Sequence, residues 1–471
     1  MTRPLIPHKT VWAATVLAAL LVVVGSGHAQ TVIQVAGGQG HTLLLKSDGS
    51  LWAMGDNTYG QLGDGTYSST NQPKRIVASQ VTAIAAGYAH SLFLKSDGSL
   101  WAMGKNTYGQ LGDGTAMNVV SGYYGQTNVP ERIVASNVTA IAAGYAHSLF
   151  LKRDGSLWAM GNAAQGQLGA TNFGDINRDT NNPELIVASN VTAVAAGDYF
   201  SLFTESDGSV WAMGNNHYGQ LGYGLISDLS HPAYPVQIVA SNVTAIAAGG
   251  RHSLLLKGDG SVWAMGNNEF GQLGDGTYND STYYLTNRPK EIVASNVVAI
   301  AGGTEHSLLL KNDGSLWAMG HNQCGQLGYG PTVGAGNCTN LPELIVPNGV
   351  MALASRVAFS SFFLKSAGSL WAMGQNAHGE LGDGTGNING TNQPEQIVSG
   401  SLTAGGGSFA NQQFRFTLTG PAGSNAVIAA STNLLNWTPL VTNPLGSGTL
   451  IFTDAVATNF PRRFYRAALT P

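Results

Sequence analysis

The sequence predicts an all-β protein, a seven-bladed β-propeller followed by a small β-sandwich-like domain. Three observations carry this expectation. A W-A-M-G string recurs seven times, at Trp52, Trp101, Trp158, Trp211, Trp263, Trp317 and Trp371. Its spacing is near 50 residues throughout, and a self-similar period of about that length marks a propeller or solenoid. Glycine makes up 63 of 471 residues and charged residues only 10%, a composition suited to short strands and tight turns.

One unit justifies the strand count. Residues 81–86 (VTAIAA) are small and apolar and form the first expected strand. Residues 90–95 (HSLFLK) are β-prone and form the second. Asp97-Gly98 follows and reads as a two-residue type I′ turn, which requires positive φ at both central positions. Residues 99–103 (SLWAM) make the third strand, and residues 133–135, beyond Pro130, the fourth. No stretch has a sustained helical period. Four strands per unit, seven times over, give seven blades.

Within each unit the string G-x-N-x-x-G-Q-L-G follows the Trp-bearing strand, and A-A-G-x-x-H-[ST]-[LF] precedes it. Together these resemble the regulator of chromosome condensation family, over roughly residues 31–402. The resemblance implies a seven-bladed propeller. It implies no single function, because that family includes nucleotide exchange on a small GTPase, chromatin binding, ultraviolet sensing and inhibition of secreted β-lactamases. The ultraviolet receptor's G-W-R-H string is replaced here by Tyr88, Tyr145 or Tyr199 and their neighbours, so light sensing is not implied. The secreted inhibitors match best in compartment.

The compartment is read from the first 29 residues. Arg3 and Lys9 form a basic start, residues 11–24 are apolar, and Gly27-His28-Ala29 offers a small-residue cleavage site before Gln30. The apolar run is shorter than the roughly 20 residues of a membrane span; an uncleaved anchor is the alternative. The expected organisation is therefore residues 1–29 as export signal, 30–404 as propeller and 405–471 as a separate module. The mature protein is expected in the periplasm, at the cell surface or outside the cell. Export permits a disulfide between Cys324 and Cys338, with two free thiols as the alternative.

Gly405-Gly406-Gly407-Ser408 reads as a linker. Beyond it, the alternating segments FRFTLTG, AVIAAST, TLIFTDA and FYRAAL surround Trp437 and suggest a small sandwich. STNLLNWTPL, followed by FTDA and FYRA, is similar to C-terminal modules of large exported bacterial proteins. That similarity implies anchoring, sorting or carbohydrate contact.

Most recurring polar residues read as scaffold. His41, His90, His147, His252 and His306 spread around a ring and are expected as satisfied core groups. Asn57 and Gln61, with their equivalents, are expected to hold the loop after the third strand. The tryptophans are expected as core anchors, and the G-D-G-T aspartates as turn formers rather than calcium ligands. No basic run points to nucleic acid. No nucleophile–base pair, metal-ligand spacing or phosphate loop is present, so neither enzyme activity, nor a cofactor, nor a metal is expected.

Function is placed on the loops that differ between units. The connections before each His and after G-Q-L-G emerge on one face, and they carry tyrosine among Ser, Asn, Gly and Thr, a mixture used by binding surfaces. The candidate binding residues are Tyr67, Tyr88, Tyr123, Tyr124, Tyr145, Tyr223, Arg251, Tyr283 and Tyr284, with Tyr199, Tyr234, Tyr278 and Glu305 on the same face. The expected function is an exported, non-enzymatic, monomeric scaffold that binds a protein or glycan. The alternatives are an inhibitor of a secreted or periplasmic enzyme, a structural cell-envelope component, or an enzyme working in the central channel.

Overall fold

Each repeat unit folds as one four-stranded antiparallel sheet built from four consecutive strands. The computed structural model describes residues 17–20, 31–115, 125–169, 179–224, 234–278, 286–330, 338–354, 359–365, 368–387, 390–398, 403–410, 413–420, 425–432, 436–445, 449–456 and 462–470. No helix occurs among them. The chain divides into two units, Val32–Ser399, and Met1–Thr31 together with Gly400–Pro471.

The first blade consists of Val32–Gly37, His41–Lys46, Leu51–Gly55 and Thr70–Val77. The second consists of Val81–Ala86, His90–Lys95, Leu100–Gly104 and Thr127–Val134. The remaining five begin at Val138, Val191, Val243, Val297 and Val350. The seventh sheet is complete within its own unit. Among the described residues no strand is exchanged to close the ring; Val35, Leu44 and Met54 of the first blade pack against Phe362, Leu370 and Leu381 of the seventh instead.

The core lies between blades. Side chains alternate along each strand, so one blade offers a different apolar set to each neighbour. Leu43, Leu45, Leu51 and Ala53 of the first blade pack against Phe93 and Met103 of the second. Leu92, Leu94, Leu100 and Ala102 of the second then pack against Phe150 and Met160 of the third.

Two local expectations need correction. The fourth strand spans Thr127–Val134 and contains Pro130. It is the outer edge of its sheet, where a missing N–H breaks no ladder bond. The register shifts around it, with Leu100 opposite Val134 and Gly104 opposite Thr127. The Asp-Gly hairpin is also not a type I′ turn. Gly98 has φ 76° but Asp97 is not left-handed. Gly98 N donates to Lys95 O and Lys95 N to Ser99 O, which is a three-residue loop ending in a left-handed glycine.

The tryptophans are half-buried rather than core. Trp101 packs on the first-to-second blade cluster, its Nε1 donates to Ser99 Oγ at 2.9 Å, and Lys95 Nζ covers the ring at 4.0 Å. The fourth blade has Glu205 where the others have lysine.

The second unit forms two sheets around one core. Thr403–Ala410, Gln413–Thr419 and Thr449–Asp454 make the first. Leu17–Leu20, Arg462–Thr470, Asn425–Ser431 and Thr438–Pro444 make the second. Phe414, Phe416, Phe452, Ile428 and Tyr465 fill the space between them. The Gly405–Ser408 run is not a linker: it lies inside a strand, at a register shift opposite Gln413–Thr419. Glycine is tolerated at such an irregularity because no side chain has to be placed there.

Candidate functional site

The predicted loop face exists. Gly37 is paired with Thr42, and Gly55 with both His41 and Thr70. The connection before each second strand and the one after each third strand therefore leave the sheet on the same side. The scaffold beneath is held by a repeated contact between blades. His41 Nε2 lies 2.9 Å from Ser91 Oγ, which itself donates to Gln61 O at 2.7 Å. The same arrangement joins His90 to Ser148, His147 to Ser201, His252 to Ser307 and His306 to Ser361. The serine proton is used on the carbonyl, so histidine is the donor through Nε2. Burial lowers His41 and His252 to about 4 and His306 to about 3, so these rings are neutral structural donors. They are core groups as expected but not fully satisfied, since Nδ1 of His41 and of His252 has no hydrogen-bond partner among the described residues.

Asn57 holds its loop by donating Nδ2 to Asp64 Oδ1 and accepting from Leu62 N. Gln61 holds the same loop by bridging one backbone group and one side chain. Its Oε1 accepts from a backbone group, Tyr59 N, but its Nε2 donates to the Asp56 side chain. Asp64 forms a turn, accepting from Thr66 N.

Above this scaffold the short loops before the second strands hydrogen-bond to one another from blade to blade. Gln39 N donates to Tyr88 O, Tyr88 N to Gly144 O, Tyr145 N to Asp198 O, Asp198 N to Gly250 O, and Gly250 N to Gly303 O. These loops form the inner rim of the face. Tyr88 and Tyr145 touch with ring centroids 4.3 Å apart and a 45° tilt. Tyr145 and Tyr199 follow at 5.1 Å and 33°. Burial, with the neighbouring Tyr199, Tyr88 and Tyr108, holds the Tyr145 phenol well above its ordinary range. Tyr199 is raised by burial and by Asp198. Arg251 continues the arc, with its guanidinium 5.0 Å from the Tyr218 ring and Nη1 donating to Tyr218 Oη at 3.2 Å.

The other side of the rim has different chemistry. Glu305 Oε2 lies 3.0 Å from His321 Nδ1, and His321 stacks on Phe270 at 4.2 Å. Glu380 replaces the recurring glutamine; burial raises its carboxyl, and Oε1 has no hydrogen-bond partner.

Beneath the rim loops, at the ends of the first strands that lead into them, lies a central-channel cavity of about 260 Å³; the tyrosines and Arg251 are not among the residues that line it. Its lining residues are all Ala, Gly, Val, Ile or Leu, among them Ala86, Ala143, Ala195 and Leu353. These residues supply no acid, base or nucleophile, so the central-channel enzyme reading gains no support from them. Among the described residues no group of three His, Cys, Asp or Glu side chains could hold a metal.

Of the predicted binding residues, Tyr88, Tyr145 and Arg251 join this arc, together with Tyr199. Tyr67 stands exposed on an outer loop. Tyr223 packs against the Phe200–Leu221 cluster. Tyr278 is exposed and donates to Cys338 O, and Tyr234 is exposed. Tyr123, Tyr124, Tyr283 and Tyr284 lie outside the described residues. Cys324 and Cys338 are half-buried free thiols, both raised by burial. Tyr108 and Tyr218 were missed because they sit inside the repeated N-x-Y-G-Q-L-G phrase.

Seven homologous sheets closed without strand exchange, with one loop-built face, define a repeat propeller. The RCC1-like domain matches residues 13–282 and 135–416, and the chain belongs to that family. It is 31% identical to the human probable E3 ubiquitin-protein ligase HERC6 over 310 residues, 64% of this chain and 24% of that protein. It is 28% identical to the Ultraviolet-B receptor UVR8 of Arabidopsis thaliana over 272 residues, 56% of this chain and 59% of that protein. The chain therefore spans less than two thirds of either relative. Human WBSCR16 superposes with a TM-score of 0.59 at 26% identity, covering 70% of this chain and 86% of that one. Yeast RCC1 (Prp20), solved with Kap60 bound, gives 0.64 at 21% identity, covering 85% and 93%.

Proposed function

We propose that this protein is an exported, non-enzymatic scaffold whose loop-rich face binds a protein or glycan. The observation that supports the reading is the contiguous Tyr88–Tyr145–Tyr199 arc with Arg251 beside it. Tyrosine offers a large amphipathic contact at low entropy cost, and Tyr and Arg dominate binding hot spots. A protein partner accords with the relatives: Saccharomyces cerevisiae Prp20p has been studied for binding to Gsp1p and histones. Export rests on the leader-like first 29 residues; their removal would also take away Leu17–Leu20, which pairs with Arg462–Tyr465 in the full chain, and N-terminal sequencing of the mature protein should begin at Gln30.

The test is a pull-down from the envelope and medium of the producing cells. Wild-type protein is compared with a Tyr88→Ala, Tyr145→Ala, Tyr199→Ala variant of unchanged melting temperature. Partners captured by the first and lost by the second support the face. Undiminished capture of every partner by the variant removes it.

A further inference from the structure

Resting on that reading of the face, we infer that the channel mouth is a socket for one aromatic side chain projecting from a folded partner protein. The Tyr88–Tyr145–Tyr199 arc and Arg251 form its rim.

Size separates the possible occupants. The cavity of about 260 Å³ falls below the roughly 300–1,000 Å³ of pockets that hold drug-sized ligands. It suits a single large side chain. Its walls combine two kinds of surface. The lining side chains are methyl-bearing or glycine, while the first strand of each sheet has no neighbour on the channel side, so backbone groups also face inward. A Tyr or Trp fits both, with an apolar body and one polar tip. A sugar carries hydroxyls on every side, and those turned to the Ala side chains rather than to the backbone would be buried unpaired at a cost.

The rim also favours a protein over a glycan. The tyrosine rings tilt by 45° and 33° in succession. Successive tilts of that size leave no flat platform for a sugar chain. The N–H groups of Gln39, Tyr88, Tyr145, Asp198 and Gly250 are already bonded between blades, so this part of the rim is preorganised and contact is made by side chains, not by strand addition. Arg251, held over Tyr218, has further N–H donors for a carboxylate. An acidic residue is therefore expected next to the aromatic anchor.

The test pans a displayed library of short disulfide-closed loops on the full chain. Enriched loops should carry Tyr or Trp beside Asp or Glu. Their affinity should fall about tenfold or more, as for a hot-spot anchor, when the channel is plugged. The plug is Ala195→Cys labelled after folding with N-benzylmaleimide, and wild type treated in parallel controls for Cys324 and Cys338. Arg251→Ala should weaken the acidic preference. The socket is overturned if no loop is enriched, if plugged protein binds the loops as tightly as unplugged, or if an arrayed glycan binds and is displaced by the plug. Loops that tolerate the plug yet lose binding in Tyr145→Ala would sink the socket while leaving the face itself standing.

Discussion

His41 of the first blade and Ser91 of the second meet at 2.9 Å, and the serine hydroxyl donates its own hydrogen bond to Gln61 O of the first blade. One buried hydroxyl thus ties two points of the neighbouring blade. The fourth blade shows what the histidine adds. Phe200 takes its place and packs with Leu202 and Leu221, while Ser253 still donates to Gln220 O. The site therefore accepts a ring of similar size without the hydrogen bond. His90→Phe should cost less than about 1.5 kcal/mol, as a shape-conserving swap. His90→Ala leaves a cavity and should cost about 3 kcal/mol. Urea midpoints of the two variants check the order.

The same histidines set an acid limit. Burial holds His41 and His252 at about 4 and His306 at about 3, against an ordinary value of about 6.5. Between these values the unfolded chain binds protons that the folded chain refuses. Stability is therefore full above about pH 6.5 and falls as pH drops toward 4, each histidine contributing a slope of up to about 1.4 kcal/mol per pH unit. Melting temperature across that range should decline, and less steeply in a His41→Phe, His252→Phe, His306→Phe variant. Parallel profiles would show that other groups govern the decline.

Glu380 has the opposite sign. The other units place glutamine here, as with Gln220, which donates to Asn215. A carboxylate cannot donate, and burial raises the Glu380 carboxyl. Its charged form is disfavoured in the folded state, so stability is lost as pH rises through the raised value. Glu380→Gln should raise the melting temperature at pH 7.5 and make little difference at pH 4. An equal gain at both values would locate the effect outside ionisation.

The propeller was legible because a sevenfold repeat declares its own boundaries. The strand register was less so. Pro130 reads as a boundary until the outer edge of the sheet removes the need for its N–H. Tyr88 and Tyr145 were legible by comparing units at one position. Their contact was not, because only blade curvature brings residues more than fifty positions apart to 4.3 Å. Tyr108 and Tyr218 were hidden by the repetition itself. The G-Q-L-G phrase shared by most units looked like scaffold, yet Tyr108 and Tyr218, which precede it in their units, also reach the rim.

Glycines in that phrase and in the G-D-G-T that follows it differ in kind. Gly60 and Gly65 are both left-handed, at φ 80° and 82°. A Cβ on Gly60 would lie 2.5 Å from Asn128 Cα and 2.7 Å from Thr127 O of the next blade, whereas one on Gly65 meets nothing within 4 Å. Both substitutions to alanine force an L-residue into the left-handed region, at about 1 kcal/mol. Only Gly60→Ala also drives backbone against backbone and must separate two blades. Gly65→Ala should therefore lower the urea midpoint slightly. Gly60→Ala should lower it several-fold more and loosen hydrogen-exchange protection in Thr127–Val134 and the loop beside it. Equal effects of the two changes would mean that the conformational term alone governs these loops.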